Sequence, residues 1–407
     1  MKSLRKPSRA ELHNLLNRGV TNIVDRAHLE KALNSGKQLR VKLGFDPTGD
    51  KIHIGRAIIL RKLRDFQRLG HKVVFIVGDF TARIGDPSDK LSKRPMLGRE
   101  QIEKNTKNYK FQVGKIIDLK KAEFRFNSTW LKKLDFEEIG ELAESFSIQQ
   151  MLERRNFSDR VKKGEEISLR ELLYPLMQGY DSVAVKADVE LGGFDQLFNL
   201  HAGRVIQKHY GQKEQDILTG EMLEGTDGRK MSTSWGNVIN ITDEPNNMFG
   251  KVMAVRDELI GKYFLLCTDV SEREIKKIQN DMKTGKLNPR DAKLRLAREI
   301  VSIYHGEKAA KDAGEEFIRV FSNKELPKNI TIISIGDPSF RPVNLVLLTK
   351  VVNSRSEARR LVEQGALKVN DDIIKNPNML GQVSTGDVIR IGRKHIFRIK
   401  VVKLRKS

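Results

Sequence analysis

The feature that most constrains the fold of this chain is a strand–helix–strand pattern near its N-terminus. Residues 39–45 read as a short strand that leads into the turn 46–50, and the apolar residues of 54–69 recur at helical spacing. Gly70 stands where a helix end favours a left-handed residue, and the β-branched run 72–77 is typical of a strand buried on both faces. This order predicts a βαβ unit of a parallel, nucleotide-binding sheet.

The same pattern returns later in the chain and indicates the fold class. Residues 137–178 read mainly as helix, and they precede a strand at 188–191, a helix at 196–210 and a strand at 216–223. We therefore expect an α/β protein. Its Rossmann-like parallel sheet would form a doubly wound catalytic domain that carries a helical insertion.

A length of 407 residues fits two or three domains, because single cores rarely grow past roughly 250 to 300 residues. Long helical patterns fill residues 245–321, and prolines and a glycine then interrupt the chain. The expected organisation is a catalytic domain at 1–235, an all-α domain at 236–322, a linker at 323–340, and a small α+β domain at 341–407.

The charge of the chain indicates a polyanionic partner. Lys and Arg number 75 against 53 Asp and Glu, a formal net charge of +22. The segment 341–407 holds 15 Lys and Arg against 5 Asp and Glu, so a net +10 is concentrated in about a sixth of the length. Nucleic acid or a phosphate-rich substrate would suit this charge, and a merely basic surface is the alternative.

Cysteine usage and the N-terminus bear on the compartment. Cys267 is the one cysteine, so an intramolecular disulfide and a cysteine-based zinc site are excluded, and we expect no bound metal. Residues 1–19 lack the apolar centre of a signal peptide, and no run approaches the roughly 20 apolar residues of a membrane span. We therefore expect a cytoplasmic protein without membrane contact.

Two short segments are candidates for binding phosphate. His53-Ile54-Gly55-Arg56 lies between the first strand and its helix, where amide groups and the helix dipole favour an anion. A histidine that caps the helix for structural reasons is the alternative. The second segment, residues 230–234, carries Lys230 and three hydroxyl side chains and could close over a triphosphate, although a solvated loop would look similar.

Together these motifs resemble the class I aminoacyl-tRNA synthetases, and most closely the bacterial tyrosyl-tRNA synthetase family. The likeness covers nearly the whole chain, and its blocks run in family order. They are Gly44-Phe45-Asp46-Pro47-Thr48, Gly78-Asp79-Phe80-Thr81, Gly85-Asp86-Pro87-Ser88, Tyr174-Pro175-Leu176-Met177-Gln178-Gly179-Tyr180-Asp181 and Gly192-Gly193-Phe194-Asp195-Gln196.

The resemblance implies a role for each candidate residue. For catalysis it implies His53, Arg56, Lys230 and Thr233, with charge stabilisation mainly from Lys230. For ATP it implies Asp46, Thr48, His53, Gly55, Gly193, Asp195, Met222, Leu223 and Lys230. For tyrosine it implies Asp181 at the phenol hydroxyl, Asp86, Tyr174 and Gln178 at the ammonium group, and Gln196 near the carboxylate.

The spacing of three tyrosine candidates supports this assignment independently. Tyr174, Gln178 and Asp181 fall at i, i+4 and i+7, so they share one face of a helix. A phenol, an amide and a carboxylate suit a pocket for a phenolic amino acid, which needs acceptors at its far end and around its ammonium group. An ordinary amphipathic helix with a polar face is the alternative.

Four positions depart from the family pattern. Arg56 stands where the first motif usually ends in histidine, and Thr233 replaces the second lysine of the closing loop. Phe194 replaces a small hydroxyl residue, and Lys42 stands where many members place a tyrosine that faces the substrate phenol. The Thr233 change puts the usual division of labour between two loop lysines in doubt.

The basic C-terminal segment resembles an S-four-type RNA-binding domain. Ser354 to Glu357 read as a capping box that opens a helix, and strand patterns follow it. The resemblance implies RNA contacts from Arg355, Arg359, Arg360 and Lys368. A solvated basic tail is the alternative.

We therefore expect a tyrosyl-tRNA synthetase activity that uses L-tyrosine, Mg²⁺-bound ATP and tRNA(Tyr) and needs no tightly bound cofactor. By resemblance the chain would form a homodimer. Three rivals remain: a tryptophan-specific sibling, a small-molecule nucleotidyltransferase, and a synthetase-derived RNA-binding or splicing protein without aminoacylation.

Overall fold

The computed structural model describes residues 4–88, 96–232, 235–321, 326, 330–392 and 395–402. The chain divides into two compact units, one up to Lys311 and one from Asp312 onward. Among the described residues, no helix combines the length and the apolar character that crossing a membrane requires.

The first unit contains most of the helices. They are α1 Arg9–Leu16, α2 Arg26–Leu33, α3 Ile54–Arg68, α4 Thr81–Ile84, α5 Arg99–Thr106, α6 Tyr109–Gly114, α7 Ser128–Leu131, α8 Phe136–Ala143, α9 Ile148–Leu152, α10 Arg155–Lys162, α11 Leu169–Val185, α12 Leu197–His209, α13 Pro245–Met253, α14 Ile260–Cys267, α15 Glu272–Lys283 and α16 Pro289–His305, with α17 Glu307–Phe321 running across the division between the units.

A six-stranded sheet organises this unit. Its strands are β1 Val20–Val24, β2 Arg40–Phe45, β3 Lys72–Val77, β4 Glu123–Phe126, β5 Val189–Gly193 and β6 Asp216–Gly220, in the order β1-β6-β5-β2-β3-β4. All neighbours are parallel except β1 and β6, which are antiparallel. Since parallel strands end at the same edge, the turns after β2, β3, β5 and β6 meet there, and this is where the candidate site lies.

The predicted βαβ unit is present. Strand β3 matches the predicted bounds, and α3 ends before Gly70, whose φ of 92° is a conformation that side-chain-bearing residues rarely adopt. Val73 to Val77 and most of α3 are buried, because β3 is covered on both faces. The α/β fold class is confirmed.

The sheet of the first unit differs from the prediction at β1, β4 and β6. β1 precedes the predicted βαβ unit and forms one edge of the sheet, and β4 forms the opposite edge. The strand expected at 216–223 ends at Gly220, which leaves Met222 and Leu223 in the turn that borders the site.

The helical insertion has a core of its own. Leu142, Met151 and Leu176 form a buried cluster with Val183 and Ile206, so the insertion packs onto α11 and α12. A buried ion pair between Arg160 and Glu171 (2.9 Å) joins α10 to the first turn of α11. The long helix α11 thereby connects the insertion to the central sheet.

The second unit contains α18 Pro342–Leu348 and α19 Arg355–Glu363 with the strands β7 Thr331–Ile335, β8 Ser339–Phe340, β9 Leu367–Val369, β10 Asp372–Ile374, β11 Gly381–Gln382, β12 Val388–Ile391 and β13 His395–Val401. A five-stranded sheet runs in the order β10-β9-β12-β13-β7, and β8 pairs with β11. Residues from both helices and these strands form one buried core.

The structure differs from the linker expected at residues 323–340. Strand β7 pairs in parallel with β13, with Ile333 opposite Ile399, and both isoleucines belong to the core of the second unit. The prolines around β7 are typical of a linker. The strand that pairs with β7 lies about 65 residues further along the chain, so no local pattern indicated the pairing. The C-terminal fold therefore begins before residue 341.

Candidate active site

A cavity of about 530 Å³ opens at the carboxyl ends of the parallel strands. It brings together every ATP and tyrosine candidate that the structure describes, whereas Thr233 lies outside the described residues. The lining includes Asp46, Thr48, His53, Gly55, Arg56, Asp86, Tyr174, Gln178, Asp181, Gly193, Asp195, Gln196, Met222, Leu223 and Lys230.

His53 begins helix α3 and also lines the cavity. Its Nδ1 accepts a hydrogen bond from the Arg56 backbone N–H (3.3 Å), so the neutral ring carries its proton on Nε2. Burial, with a smaller effect of the Arg56 charge, lowers the pKa of His53 to about 3. A side chain on Gly55 would lie 3.1 Å from the His53 ring, so this turn favours glycine. His53 is thus a neutral donor at physiological pH.

Arg56 is held against the turn that precedes its helix. Its guanidinium donates to the Asp46 carbonyl (3.3 Å) and to Thr48 Oγ1 (3.1 Å), and it lies 5.6 Å from the centre of the Phe45 ring. Arginine stays charged at any physiological pH, so this position supplies a fixed cation to the cavity.

Asp46 lies where the turn meets helix α11. Thr81 Oγ1 and Tyr174 Oη donate hydrogen bonds of 2.7 and 2.9 Å to its two carboxylate oxygens. Burial raises the pKa of Asp46 to about 6, and the nearby Asp86 carboxylate adds to that shift against the two hydroxyl donors. Asp46 is thus a buried acid held by two hydroxyl donors in the turn between β2 and α3.

Asp181 is buried among donors from a segment that sequence analysis missed. Trp130 Nε1 donates to Oδ1 (2.8 Å), and Asn127 Nδ2 donates to Oδ2 (3.3 Å). Burial raises the pKa of Asp181 to about 7, while the charge of Lys42 and these two donors oppose the shift. The two donors hold the Asp181 carboxyl group in place, and its oxygens keep lone pairs that can accept a hydrogen bond from a substrate hydroxyl.

Lys42 lies beneath the cavity and does not line it. Its ammonium contacts the Gln178 carbonyl (3.0 Å), Ser182 Oγ (2.6 Å) and the Glu190 carboxylate (3.0 Å), which accounts for all three of its donors. Lys42 and Glu190 are each 1% exposed. The lysine at this position therefore acts through its neighbours, unlike a tyrosine that would face the substrate.

Three amide and acid side chains are joined at the other side of the cavity. Gln196 Nε2 donates to Asp86 Oδ2 (2.6 Å), and Gln178 Nε2 donates to Glu190 Oε1 (3.1 Å). Asn199 Nδ2 lies 3.4 Å from Asp86 Oδ1, 3.2 Å from Gln178 Oε1 and 3.1 Å from Gln196 Oε1, so these three side chains belong to one polar network around the place predicted for the amino-acid ammonium and carboxylate.

The turn that carries Lys230 is held by Asn237, a residue that sequence analysis did not single out. Asn237 Nδ2 donates to Asp227 Oδ1 (2.8 Å) and to the Lys230 carbonyl (3.1 Å), and its Oδ1 accepts from the Ser232 N–H (2.8 Å). The side chain of Lys230 remains exposed at the cavity. The sequence signal was its position a few residues after the loop motif.

The remaining candidates divide between the cavity and its surroundings. Gly193, Asp195, Met222 and Leu223 line the cavity, whereas Phe194 lies outside its lining and is 49% exposed. The large Phe194 side chain is therefore accommodated without filling the site. Within the described ranges, no group of three or more His, Cys, Asp or Glu side chains is placed to hold a metal ion.

Comparison with known proteins places this chain in a family. The model of the family described as tRNA synthetases class I (W and Y) matches residues 34–322. The chain belongs to this family. Among its relatives, the tyrosine–tRNA ligase of Thermotoga maritima is 45% identical over 386 residues, covering 95% of this chain and 96% of the relative. That of Carboxydothermus hydrogenoformans is 46% identical over 397 residues, covering 95% and 96%.

Solved structures of the family share the fold. A C-terminally truncated mitochondrial tyrosyl-tRNA synthetase from Aspergillus nidulans gives a TM-score of 0.65 at 22% identity, over 77% of this chain and 95% of that one. The truncated Coccidioides posadasii mitochondrial enzyme gives 0.61 at 26% identity, over 76% and 92%.

The C-terminal unit matches a second family, the S4 domain, over residues 341–389. Ser354 Oγ accepts a hydrogen bond from the Glu357 N–H (3.2 Å) and so begins helix α19. Arg355, Arg359 and Arg360 are exposed on this helix, and Lys368 is partly exposed on β9. These four cations therefore lie on α19 and the strand that follows it.

Proposed function

We propose that this chain activates L-tyrosine with ATP and transfers the tyrosyl group to tRNA(Tyr). The observation that carries the proposal is the single cavity that combines His53, Arg56 and Lys230 with the buried acceptor Asp181. The first three suit a polyphosphate, and the fourth suits a phenol. Family membership and the names of the relatives support the same activity.

In the first step the tyrosine carboxylate oxygen attacks the α-phosphorus of ATP, which carries Mg²⁺ as part of the substrate. An O–P bond forms, the bond from the α-phosphorus to the bridging oxygen breaks, and pyrophosphate leaves with its negative charge. His53 donates a neutral hydrogen bond, and Arg56 and Lys230 supply positive charge to the phosphate oxygens. Positioning and charge stabilisation suffice, so no side chain becomes covalently attached.

The residues proposed to bind ATP come from several elements around the cavity, and each group would contact a different part of the nucleotide. Asp46 and Thr48 belong to the turn before helix α3, and Gly55 lies in the first turn of that helix. Gly193 ends β5 and Asp195 follows it, where a ribose would be held. Met222 and Leu223 follow β6 and would border the adenine ring. Their common position at the carboxyl ends of the strands is where nucleotides bind in sheets of this type.

Selectivity for tyrosine would come from Asp181. A tyrosine hydroxyl can donate to this carboxylate, whereas phenylalanine would leave a buried acceptor without that partner. Tyrosyl-tRNA synthetases are themselves the standard example of discrimination by an unpaired polar group. An indole from tryptophan would present its N–H at a different position, which argues against the tryptophan-specific alternative.

In the second step a hydroxyl of the terminal adenosine of tRNA attacks the tyrosyl carbonyl, and AMP leaves. The basic C-terminal unit, through Arg355, Arg359, Arg360 and Lys368, would hold RNA backbone. Incubation with labelled tyrosine, ATP and tRNA should give tyrosyl-tRNA that is labile to mild base. A protein that forms the adenylate and leaves tRNA uncharged would contradict the transfer step and favour an RNA-binding role.

We also propose a homodimer, formed in the cytoplasm where ATP and tRNA are available. Phe136, Ile148 and Leu169, at the starts of α8, α9 and α11, are 90%, 64% and 71% exposed, and their burial against a second copy of the chain would remove this apolar surface from water. Sedimentation velocity should show two chains, and Leu169→Glu should weaken the association. A monomer at micromolar concentration would contradict this part of the proposal.

A further inference from the structure

Asn199 lies at the centre of the polar network beside the candidate tyrosine site. It is fully buried on helix α12, one turn after Gln196. Its amide nitrogen lies 3.2 Å from Gln178 Oε1, 3.1 Å from Gln196 Oε1 and 3.4 Å from Asp86 Oδ1. Ser88 Oγ lies at 3.1 Å as well. One amide group therefore meets the three side chains assigned to the ammonium and carboxylate of the amino acid.

The orientation of this amide is set by Arg154. Arg154 Nη2 donates to Asn199 Oδ1 (3.1 Å) and also to Ser88 Oγ (3.0 Å). A guanidinium can only donate hydrogen bonds, so the amide oxygen must face Arg154 and the amide NH₂ must face the acceptors. Without Arg154 the amide could turn over and present an oxygen to Asp86, Gln178 and Gln196.

Arg154 is itself fixed by packing. It immediately precedes helix α10 of the insertion and is 9% exposed. Its guanidinium lies 4.4 Å from the centre of the Phe198 ring and 5.3 Å from that of Phe157. Burial lowers the pKa of Arg154 to about 10, so it remains charged at neutral pH. The insertion thus places a rigid cation behind the amino-acid site.

We propose that Asn199 and Arg154 are a positioning pair that holds Asp86 and Gln178 in the arrangement that accepts the ammonium group of the amino acid. The proposal rests on the proposed function. Neither residue lines the cavity, so both act through the side chains that do. Their effect should fall on the part of the substrate that carries the ammonium, and not on its phenol ring.

The test compares tyrosine with its analogue 3-(4-hydroxyphenyl)propionate, which keeps the phenol and the carboxylate and lacks the ammonium. In Asn199→Leu, dissociation constants from equilibrium binding should rise about tenfold for tyrosine and less than twofold for the analogue, since acceptors around the ammonium lose their shared donor. Equal losses for both compounds, or no loss for tyrosine, would overturn the proposal.

Arg154→Met is a second variant, and the direction in which it changes tyrosine affinity separates two explanations. Removal of a cation near a site for an ammonium group should strengthen tyrosine binding if simple charge repulsion dominated. The positioning role predicts the opposite, a severalfold weaker binding of tyrosine with the analogue unaffected. Arg154→Lys keeps a donor and should recover part of the loss. Tighter tyrosine binding by Arg154→Met would overturn the proposal even if Asn199→Leu failed to fold.

Gln207→Leu is the matched control on the same helix. Gln207 is a buried amide that donates to the Ala187 carbonyl and accepts from the Gln215 N–H, both at 2.8 Å, and it does not line the cavity. This variant should lower the melting temperature without changing the ratio of the two dissociation constants. Wild-type protein that neither binds nor activates tyrosine would refute the proposed function, whereas active wild-type with unchanged ratios in the variants would refute the positioning role alone.

Discussion

Trp130 donates a hydrogen bond of 2.8 Å from its indole N–H to the carboxylate of Asp181. The same indole packs against Val74 and Ile76 of β3 and against Val185 and Ala187 near the end of α11. A partly buried side chain that packs against this cluster therefore sets the direction of the buried carboxylate. This hydrogen bond joins the segment after β4 to α11, the helix that carries the candidate tyrosine-binding residues.

Trp130→Phe should keep the packing and remove the donor. A hydrogen bond to a charged group contributes about 1.5 to 3 kcal/mol, so kcat/KM for tyrosine activation should fall at least tenfold. The ratio of tyrosine to phenylalanine activation should fall too, because the carboxylate is no longer held toward the phenol. Steady-state kinetics with both amino acids measure this ratio, and an unchanged ratio would show that Asp181 is positioned by other contacts.

The pH dependence of stability follows from the burial of Asp181, which raises its pKa to about 7 from an ordinary value of 3.8. Below pH 3.8 the carboxyl is protonated in the folded and unfolded states alike. Between the two values the unfolded chain releases the proton first, so the free energy of unfolding falls as pH rises, and above pH 7 this loss is complete.

Asp181→Asn lacks this titration. The free energy of unfolding of Asp181→Asn minus that of wild type should therefore increase by on the order of 4 kcal/mol between pH 4 and pH 8. A pH-independent effect of the amide would not change this increase. Denaturant titrations of both proteins at pH 4, 6 and 8 measure the difference. Parallel pH dependence of the two proteins would mean that the carboxyl of Asp181 keeps its ordinary pKa.

Lys230→Ala should slow adenylate formation with little change in tyrosine affinity, because its charge acts on the phosphates as pyrophosphate leaves. Removing one such stabilising group costs about 100-fold in kcat. Arg229→Ala is the matched control, since Arg229 is a neighbouring cation that pairs with Asp227 and stacks on Trp235. Single-turnover kinetics separate the steps, and a defect confined to tyrosine binding would argue against the role of Lys230.

That His53 and Arg56 would lie beside the same cavity could be predicted from the sequence, because they fall in a short segment next to strongly periodic strands and a helix. His53 and Arg56 lie in the turn between β2 and α3, and β3 follows directly. Tyr174, Gln178 and Asp181 share a helix face, so their spacing alone brought them together. These positions followed from local sequence patterns and needed no knowledge of long-range contacts.

The residues that support the site could not be predicted in this way. Trp130 and Asn127 reach Asp181 across 51 and 54 positions of chain, and nothing in the segment after β4 indicates that contact. Asn199 left a weak signal, since it follows Gln196 by one helical turn and is polar on a buried face. Arg154 left none, because its role depends on how the insertion packs. Strand β7 was hidden for the same reason.

The cations of the C-terminal unit should dominate the salt dependence of tRNA binding. Replacement of Arg355, Arg359 and Arg360 by alanine should weaken binding and flatten the slope of log affinity against log salt, by roughly 0.7 to 0.9 for each RNA phosphate that is no longer neutralised. A variant that removes three exposed cations of the first unit, Arg9, Lys31 and Lys37, controls for net charge. Equal slopes in the two variants would mean that α19 does not hold RNA.

The measurement that tests the central claim most directly is ATP–pyrophosphate exchange with each of the twenty amino acids, run on the full chain. The cavity, with Asp181 held by Trp130 and Asn127, predicts exchange with tyrosine alone. Asp181→Ala should abolish tyrosine-dependent exchange or reduce its preference over phenylalanine. Exchange with tryptophan, or with no amino acid at all, would contradict the account.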